Sequence, residues 1–437
     1  MRKYKLLDLL DIHWLLIITI STIAVLLFGV FNWVGLVLYG VLLVYDGSGI
    51  VYNFLNGRKI SKNITFFSGV LFSLYFLLAS FINGNSSDWA TIIQYGLILV
   101  LVSFAREGKE IQSVFLPISK VLTISGICMA FLSILIPIIG NVFPSFFLSL
   151  PKYDLFIRLN KMVCDIKTDR LIGFGLNPIT TSFYCYATIA FSVFLFSITG
   201  KQLWKILSAI NIGISSFFIA FLARSRTYML ALFAFYGAYF FIYYCVLYRD
   251  VPSKQRNFKV LLFVFCSCFI VFVLLFTLFD SFRSFILEDV FRVQNIDTFG
   301  NRGDIFTRSL IAGEGHRLFG ISSMYFEQII EDHTHNVFLE VLTFGGVPSL
   351  FFFMIYVFSS IYISIKNMIN KNEMPINIQI INCLAFAYIV SYLVGGISEP
   401  GGVRTMRLAF AVLQLMIGSV VVIYVSTHTR KHDIVSK

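Results

Sequence analysis

The chain has 437 residues, of which 58% are hydrophobic and 13% are charged, and its formal net charge is +11. Soluble globular domains carry about 25% charged residues, so this composition excludes a soluble enzyme and indicates a polytopic membrane protein. Within the hydrocarbon, a single membrane-crossing segment satisfies its own backbone hydrogen bonds only as a helix. The predicted fold class is therefore all-α, with residues 1–437 forming a single membrane domain.

Apolar segments of about 20 residues, the length that crosses the hydrocarbon core, recur along the chain and predict about twelve transmembrane helices. The predicted spans are 14–31, 33–50, 63–83, 89–105, 113–140, 178–199, 203–222, 228–248, 258–280, 336–366, 377–395 and 406–426. The two longest connections are 141–177 and 281–335, and the second of them comes directly before the tenth span.

Basic residues are concentrated in alternate connections and predict the orientation of the chain. The connections "NGRKISKN", "TGKQLWK" and "YRDVPSKQRNFK" are short and basic, as are both termini. The positive-inside rule assigns such segments to the cytoplasm, so both termini are predicted to be cytoplasmic and the two long connections to be extracytoplasmic loops. Because topology accounts for the basic excess, the lipid bilayer is an expected partner and nucleic acid is not.

Several arginines are predicted to lie on the extracytoplasmic side although the rule disfavours them there. Arg224 and Arg226 occur in "ARSRTYM", Arg170 precedes the sixth span, and Arg404 and Arg407 precede the twelfth. An arginine near a helix end can extend to the headgroups, which explains any one of them. That reading explains less well why they share a side with a histidine cluster.

Helices are also predicted within the 281–335 loop. The apolar residues of "FDSFRSFILEDVFRVQ" form one stripe, which is typical of a helix lying on the membrane surface. In "NRGDIFTRSLIAG", Arg302 and Phe306 are at helical spacing, and Gly313 is a predicted C-cap. The segment "HRLFGISSMYF" is then expected to turn at Gly320.

The segment "IEDHTHNVFLEVLTFGG" leads from this loop into the tenth span. Thr334 or Asp332 is the predicted N-cap, which would place His335 on the helix with Asn336 and Glu340 behind it. An acidic residue at the membrane edge is a functional candidate by default.

The tenth span is also predicted to be broken. It is about ten residues longer than a span requires, and Gly345, Gly346 and Pro348 lie inside it. A break there would leave a short half-helix whose N-terminus presents a histidine and an asparagine. The positive end of the helix dipole would then favour an anion at that terminus.

The residue types in these loops favour proton transfer and anion binding over metal or serine chemistry. Imidazole is well matched to proton abstraction near neutral pH, and arginine is well matched to a diphosphate. His333 and His335 would point apart on a helix, so no metal site is expected. The chain has no G-x-S-x-G nucleophile elbow.

Taken in chain order, these segments resemble the O-antigen and capsular polysaccharide polymerase (Wzy) family, which is related to the O-antigen ligases. The resemblance covers roughly residues 165–365. It rests on "RLIGFGLNPITTSFY", "ARSRTYMLAL", "GNRGDIFTRSL", "HRLFGISSMYF" and "HTHNVFLEVLTFGGVPSL". Two features depart from the family pattern, namely "GISS" after the loop glycine and the additional Arg224.

The resemblance implies an inverting membrane glycosyltransferase that needs no cofactor and no metal. Its donor and acceptor would be undecaprenyl-diphosphate-linked oligosaccharides at the outer face of the membrane, with a flippase and a chain-length regulator as further partners. It implies a base, His335, with His333 as the alternative, and orienting roles for Asn336 and Glu340. The implied diphosphate ligands are Arg170, Arg226 and Arg302, with Arg224 beside them.

Two other functions remain open at this point. A polysaccharide ligase, which moves the finished glycan to a different acceptor, would use nearly the same residues. A flippase for the same lipid-linked units would suit about twelve spans, but transporters usually show two related halves and polar groups near the midplane. In this sequence no repeat is visible, and the polar motifs fall on one side.

Overall fold

The structure is a computed structural model, and in the part of the chain that it describes all regular secondary structure is helical. The described residues are 6–26, 32–104, 108–142, 171, 173, 178–248, 251, 256, 259–260, 263, 267, 270–271, 273–284, 297–330, 334–370, 374–397, 404 and 407–435.

Helices α1 to α8 are Ile12–Leu26, Asn32–Leu55, Ile64–Ile82, Ser86–Ser103, Gly108–Val142, Pro178–Ile198, Gln202–Phe217 and Arg226–Ile242. Helices α9 to α14 are Asp280–Ser284, Asp297–Glu314, Ser323–Ile330, Val337–Ile369, Ile376–Gly396 and Arg407–Val435. A 3-10 helix at Leu6–Leu10 precedes α1, and π-helical turns at Phe218–Leu222 and Tyr243–Leu247 extend α7 and α8.

Nine helices in the described residues are long and apolar enough to cross a membrane, so the protein is an integral, multi-pass membrane protein. They are Gly35–Leu55, Ile64–Ile82, Glu110–Leu135, Pro178–Ile198, Gln202–Leu222, Arg226–Leu247, Val337–Ile369, Ile376–Gly396 and Leu408–Thr427. The predicted spans 14–31 and 89–105 correspond to shorter apolar helices, Ile12–Ala24 and Asp88–Ser103. The span predicted at 258–280 falls mostly outside the described residues.

Close helix packing depends on small residues and on interhelical hydrogen bonds, since lipid is as apolar as the side chains and provides little hydrophobic drive. A Cβ added at Gly69 of α3 would lie 2.6 Å from the Tyr356 ring of α12, so these two helices pack at the glycine. In α2, Asp46 is fully buried and accepts hydrogen bonds from Thr19 Oγ1 at 2.7 Å and Gln94 Nε2 at 2.5 Å. This contact holds α1 and α4 to α2.

Four of the connections that fall on the extracytoplasmic side of the predicted topology, 83–88, 223–227, 281–335 and 396–405, meet at one end of the bundle, in the part that the structure describes. The Asn83 side chain donates a hydrogen bond to the Phe319 carbonyl at 2.6 Å, and Asn336 donates one to the Ile397 carbonyl at 2.9 Å. We call this end the site end; it comprises 83–88, 222–227, 315–330, 334–346, Ile397 and Arg404. The predicted loop 141–177 lies almost wholly outside the described residues.

The predicted break in the tenth span is confirmed. Gly346 has φ 74° and ψ 179° inside α12, so the helix is interrupted there and resumes at Val347. We call residues 337–345 the half-helix. At its start, Val337 would lie 2.6 Å from a Cβ added at Gly396 of α13. At its end, a Cβ added at Gly345 would lie 2.4 Å from Phe76 of α3. The half-helix therefore reaches from the end of α13 to α3.

Candidate functional site

The N-terminus of the half-helix is capped by Asn336, not by Thr334 or Asp332 as the sequence predicted. The Asn336 side-chain oxygen accepts hydrogen bonds from the backbone N–H groups of Phe338, at 2.8 Å, and Leu339, at 3.0 Å. Its amide group donates to the Ile397 carbonyl. Asn336 thus satisfies two free helix donors and also attaches the half-helix to the end of α13.

His335 precedes this cap, so the prediction that it lies on the helix is wrong. Its φ is +48°, in the left-handed region that costs a non-glycine residue about 1–2 kcal/mol. The side chain is half-buried. Because a helix starting at Val337 does not include it, the direction of the imidazole depends on this strained turn between Thr334 and Asn336.

The first turn of the half-helix carries a buried acid. Glu340 is only 3% exposed, and its backbone N–H donates to the Asn336 carbonyl at 2.8 Å. Its carboxylate interacts electrostatically with Tyr392 in the last turns of α13. The ring of Tyr392 lies beside Phe183 and Phe410, at centroid distances of 6.3 Å each, so the tyrosine that interacts with the acid belongs to an aromatic cluster.

The kink of α12 is packed against the backbone of the preceding loop. The Val347 N–H donates to the Arg317 carbonyl at 2.7 Å, and the Ile321 N–H donates to the Thr343 carbonyl at 2.8 Å. Gly320 has φ +70°, which confirms the predicted turn, and a Cβ there would lie 2.3 Å from the Thr343 oxygen. A Cβ at Gly346 would lie 2.1 Å from the Leu318 oxygen. Both glycines are thus required by a close approach of two backbones.

The α3–α4 turn holds the other side of this loop. The Asn85 side-chain oxygen accepts hydrogen bonds from both the N–H and the hydroxyl of Ser323, each at 2.8 Å. Tyr75 donates to the Leu318 carbonyl at 3.1 Å and stacks on Phe319 with a centroid distance of 5.7 Å. The loop therefore has contacts on both sides, with α3 and with the kinked helix.

A second strained turn lies between α7 and α8. The π-helical turn Phe218–Leu222 ends beside Arg224, whose φ is +46°. Ser225 is buried and immediately precedes α8, and Arg226, the first residue of that helix, is exposed. Among the described residues, Arg224 and His335 are the two non-glycine residues with positive φ. Strained backbone of this kind is concentrated at functional sites.

Two glycines at the end of α13 bring the starts of α8 and of the half-helix together. A Cβ at Gly395 would lie 3.3 Å from Ala231 and 4.0 Å from Thr227, in the first turns of α8. A Cβ at Gly396 would lie 2.6 Å from Val337. The Ser225–Arg226 turn and the His335 turn therefore flank the same end of α13.

The remaining predicted residues are described in part or not at all. His333 and Arg170 lie outside the described residues, and Arg302 is described only as part of the backbone of α10. The helix predicted around Arg302 is confirmed, although it runs through Gly313 to Glu314 rather than being capped at the glycine. In the region that the structure covers, no three His, Cys, Asp or Glu side chains form a group able to hold a metal ion.

One pair of charged residues at this end was not predicted from the sequence. Arg404 Nε lies 2.5 Å from Asp88 Oδ2, and its guanidinium lies 3.9 Å from the centre of the Phe344 ring. From the sequence, Arg404 could be read as an arginine reaching the headgroups, and Asp88 drew no attention. Their separation of 316 positions left no local pattern that could have joined them.

The helices and the site end together define a multi-pass helical membrane protein whose described candidate residues lie at one end of its bundle. Residues 211–354 match the Wzy_C family model, which is described as O-antigen ligase. The resemblance inferred from the sequence is therefore confirmed, and this segment is a Wzy_C domain of the O-antigen ligase and polymerase family. Members of this family are membrane transferases that assemble surface polysaccharide from lipid-linked glycans. No curated protein gives a significant match to the chain.

The matched segment begins within α7 and ends in α12. It includes both strained turns, the loop glycine and the kink. Arg170, Asp88 and Arg404 lie outside it.

Proposed function

We propose that the protein is a polysaccharide polymerase that joins undecaprenyl-diphosphate-linked repeat units by an inverting, metal-independent glycosyl transfer. The observation that carries this proposal is the convergence of two strained turns at the end of α13, both inside the Wzy_C segment. One turn supplies an imidazole, His335, and the other supplies the guanidinium groups of Arg224 and Arg226. A base and a set of arginines are what an acceptor hydroxyl and a diphosphate leaving group require.

In the proposed reaction, His335 removes the proton from a hydroxyl of the acceptor sugar. The acceptor oxygen attacks the anomeric carbon of the donor glycan from the face opposite the diphosphate, and the bond between that carbon and the diphosphate oxygen breaks. The leaving lipid diphosphate carries the electron pair, and Arg226 stabilises its growing charge together with Arg170, Arg302 and Arg224. The histidine later releases its proton to water.

Asn336 and Glu340 act on the histidine through the half-helix in this proposal. Asn336 uses both ends of its side-chain amide in the cap and in the bond to Ile397, so it orients His335 by fixing the turn beside it. Glu340 lies one turn further along, and we propose that its carboxyl is ionised there. That charge would favour the protonated imidazole that forms during the transfer.

The site is proposed to face away from the cytoplasm, with both termini inside. The basis is the distribution of lysine and arginine among the connections, together with the meeting of the less basic connections at the site end. The lipid-linked donor would then be used after transport across the membrane, which makes a flippase an expected functional partner.

A ligase is the second candidate, because the matched family model is described as O-antigen ligase. A ligase would transfer the completed glycan to a lipid, wall or protein acceptor with the same base and the same arginines. The two reactions differ in the acceptor that enters the site.

The length distribution of the polysaccharide in a deletion strain separates these functions. We expect loss of every product longer than one repeat unit, with single lipid-linked units accumulating at the outer face. A normal length distribution retained on the lipid carrier would instead identify a ligase. Accumulation of single units on the cytoplasmic face would identify a transporter and contradict the proposed transferase.

A further inference from the structure

A largely buried ion pair at the site end lies outside the Wzy_C segment and has no role in the reaction proposed above. The side chains of Arg404 and Asp88 are 14% and 9% exposed, and their charged atoms are 2.5 Å apart. Asp88 is in the first turn of α4, where a negative charge also interacts favourably with the helix dipole. Arg404 is between α13 and α14, so the pair joins elements that are distant in sequence.

Stability alone is a poor explanation for such a pair. Removing two charges from water costs several kcal/mol per ion, and their attraction often does no more than offset that cost. Our hypothesis for this pair is that it specifies geometry, because only a particular arrangement satisfies both charges. We therefore expect the pair to hold a neighbouring group in place.

That group is Phe344, which contacts Arg404. The guanidinium of Arg404 lies over the ring of Phe344, with 3.9 Å between its central carbon and the ring centre. Phe344 is in the last turn of the half-helix, just before the kink at Gly346. Its ring also packs against Phe326 of α11 at a centroid distance of 5.3 Å. Fixing Arg404 through Asp88 therefore fixes the C-terminal end of the half-helix.

The opposite end of the half-helix is held from the same part of the chain. Asn336 donates to the carbonyl of Ile397, the residue that follows α13, and Arg404 is only seven positions further along. The rise along the half-helix from Val337 to Phe344 is about 11 Å at 1.5 Å per residue. Its two ends thus have separate attachments, one by a hydrogen bond at Ile397 and one by the Arg404–Asp88 pair.

We propose that Arg404 and Asp88 are positioning residues for glycosyl transfer. The pair holds the half-helix by way of Phe344, and it thereby fixes where the His335 turn and Glu340 face the substrate. This inference rests on the proposed function. It assigns a positioning role to two residues that lie outside the Wzy_C segment.

The test uses the full-length protein in proteoliposomes with lipid-diphosphate-linked repeat units purified from the deletion strain. Elongation rates are measured against repeat-unit concentration for Asp88→Asn, Arg404→Gln and the double variant. We expect each single change to lower kcat roughly 10-fold and to leave KM within about twofold, because positioning acts on the transition state. The double variant should lose no more than either single variant, since the two residues act as a unit.

A structural readout accompanies the kinetics and does not depend on turnover. Amide hydrogen exchange in residues 337–345 should become faster in each variant. Arg58→Gln is the matched control, because Arg58 forms a two-bond pair with Asp11, at 3.2 Å for each bond, far from the site end. It should change neither kcat nor exchange in the half-helix. If Arg404→Gln does not fold, Phe344→Leu removes the ring contact, leaves the ion pair intact and should give the same kinetic result.

The outcomes separate this inference from the proposed function. A raised KM at unchanged kcat would overturn the positioning role and make Arg404 a substrate-binding residue. Wild-type kcat and wild-type exchange in the folded variants would also overturn it, while leaving the polymerase proposal intact. Absence of elongation by the wild-type protein would contradict the proposed function, and unchanged exchange in the variants would then contradict the positioning role separately.

Discussion

The two ends of the helix bundle are built from different kinds of contact. At the end opposite the site, Arg58 pairs with a partly exposed Asp11, and Lys366 donates to the Tyr424 hydroxyl at 3.0 Å. These groups lie near helix ends, where water or headgroups could replace either partner. At the site end, Asp88 is buried and Arg404 is largely buried, and Arg224 and His335 have left-handed backbones.

The difference shows where the fold accepts conformational cost. The Arg58–Asp11 pair is partly exposed, so solvent weakens its contribution to stability, and it constrains the fold less than the Arg404–Asp88 pair does. The site end combines strained residues, a broken helix and backbone packed directly on backbone, each of which requires its surroundings to hold it. The comparison predicts that equivalent substitutions have large effects at the site end and small effects at the other.

The largest effect is expected for Gly346→Ala. The added Cβ would lie 2.1 Å from the Leu318 oxygen, and a φ of 74° is strained for alanine. The kink cannot form without displacing residues 317–321, so we expect no detectable elongation and a reduced yield of folded protein. Gly237→Ala in α8 is the control, because a Cβ there meets nothing within 4 Å. Normal activity of Gly346→Ala would show that the close backbone contact is not needed.

A smaller effect is expected for changes at the N-cap of the half-helix. Asn336→Ala loses the cap and the bond to Ile397, and caps of this kind contribute about 1 kcal/mol. Asn336→Asp keeps the acceptor but loses the donor to the Ile397 carbonyl. The unfolding temperature in detergent should therefore be highest for the wild type, lower for Asn336→Asp and lowest for Asn336→Ala. If both variants unfolded at the wild-type temperature, the cap would not support the half-helix.

Replacement of a strained residue by glycine should separate stability from function. Arg224→Gly relieves a left-handed backbone, which stabilises the folded state by up to about 1 kcal/mol. It also removes a guanidinium from the proposed diphosphate site. We expect an unfolding temperature at or above wild type together with weaker use of the lipid-linked donor. A variant that is less stable than wild type would argue that the side chain supports the fold.

The smallest effect is expected at Asp11, just before α1. Partial burial by itself raises the pKa of its carboxyl. Hydrogen bonds from His13 and Arg58 lower that pKa by a larger amount, so the net pKa is well below the usual value. A carboxylate with a depressed pKa stabilises the folded state above its unfolded pKa near 4, and this contribution disappears as the pH falls below that value. In Asp11→Asn, the unfolding temperature should fall less as the pH is lowered below about 4, and elongation at neutral pH should not change. The same fall as in the wild type would contradict this assignment.

The sequence predicted the features that depend on local chemistry. The break in the tenth span was predicted from Gly345, Gly346 and Pro348, because a glycine pair followed by a proline disfavours an uninterrupted helix. Gly320 predicted the turn in the loop. The distribution of basic residues placed on one side of the membrane the less basic connections that meet at the site end.

The features that the sequence did not reveal depend on contacts between distant segments. Thr334, Asp332 and Asn336 are all acceptable N-caps, and tertiary contact with Ile397 accompanies the choice of Asn336. His335 was consequently assigned to the wrong side of the helix start. The Asp88–Arg404 pair and the buried Asp46 contacts with α1 and α4 have no local signature, because each joins residues from different helices.

The central claim is that His335, in the strained turn before the half-helix, removes the proton from the acceptor hydroxyl. The most direct test compares His335→Ala with His333→Ala for elongation of purified lipid-diphosphate-linked repeat units in proteoliposomes, at equal amounts of folded protein. We predict that His335→Ala makes no product longer than the starting unit, whereas His333→Ala retains elongation. Full-length polysaccharide from His335→Ala would contradict the claim.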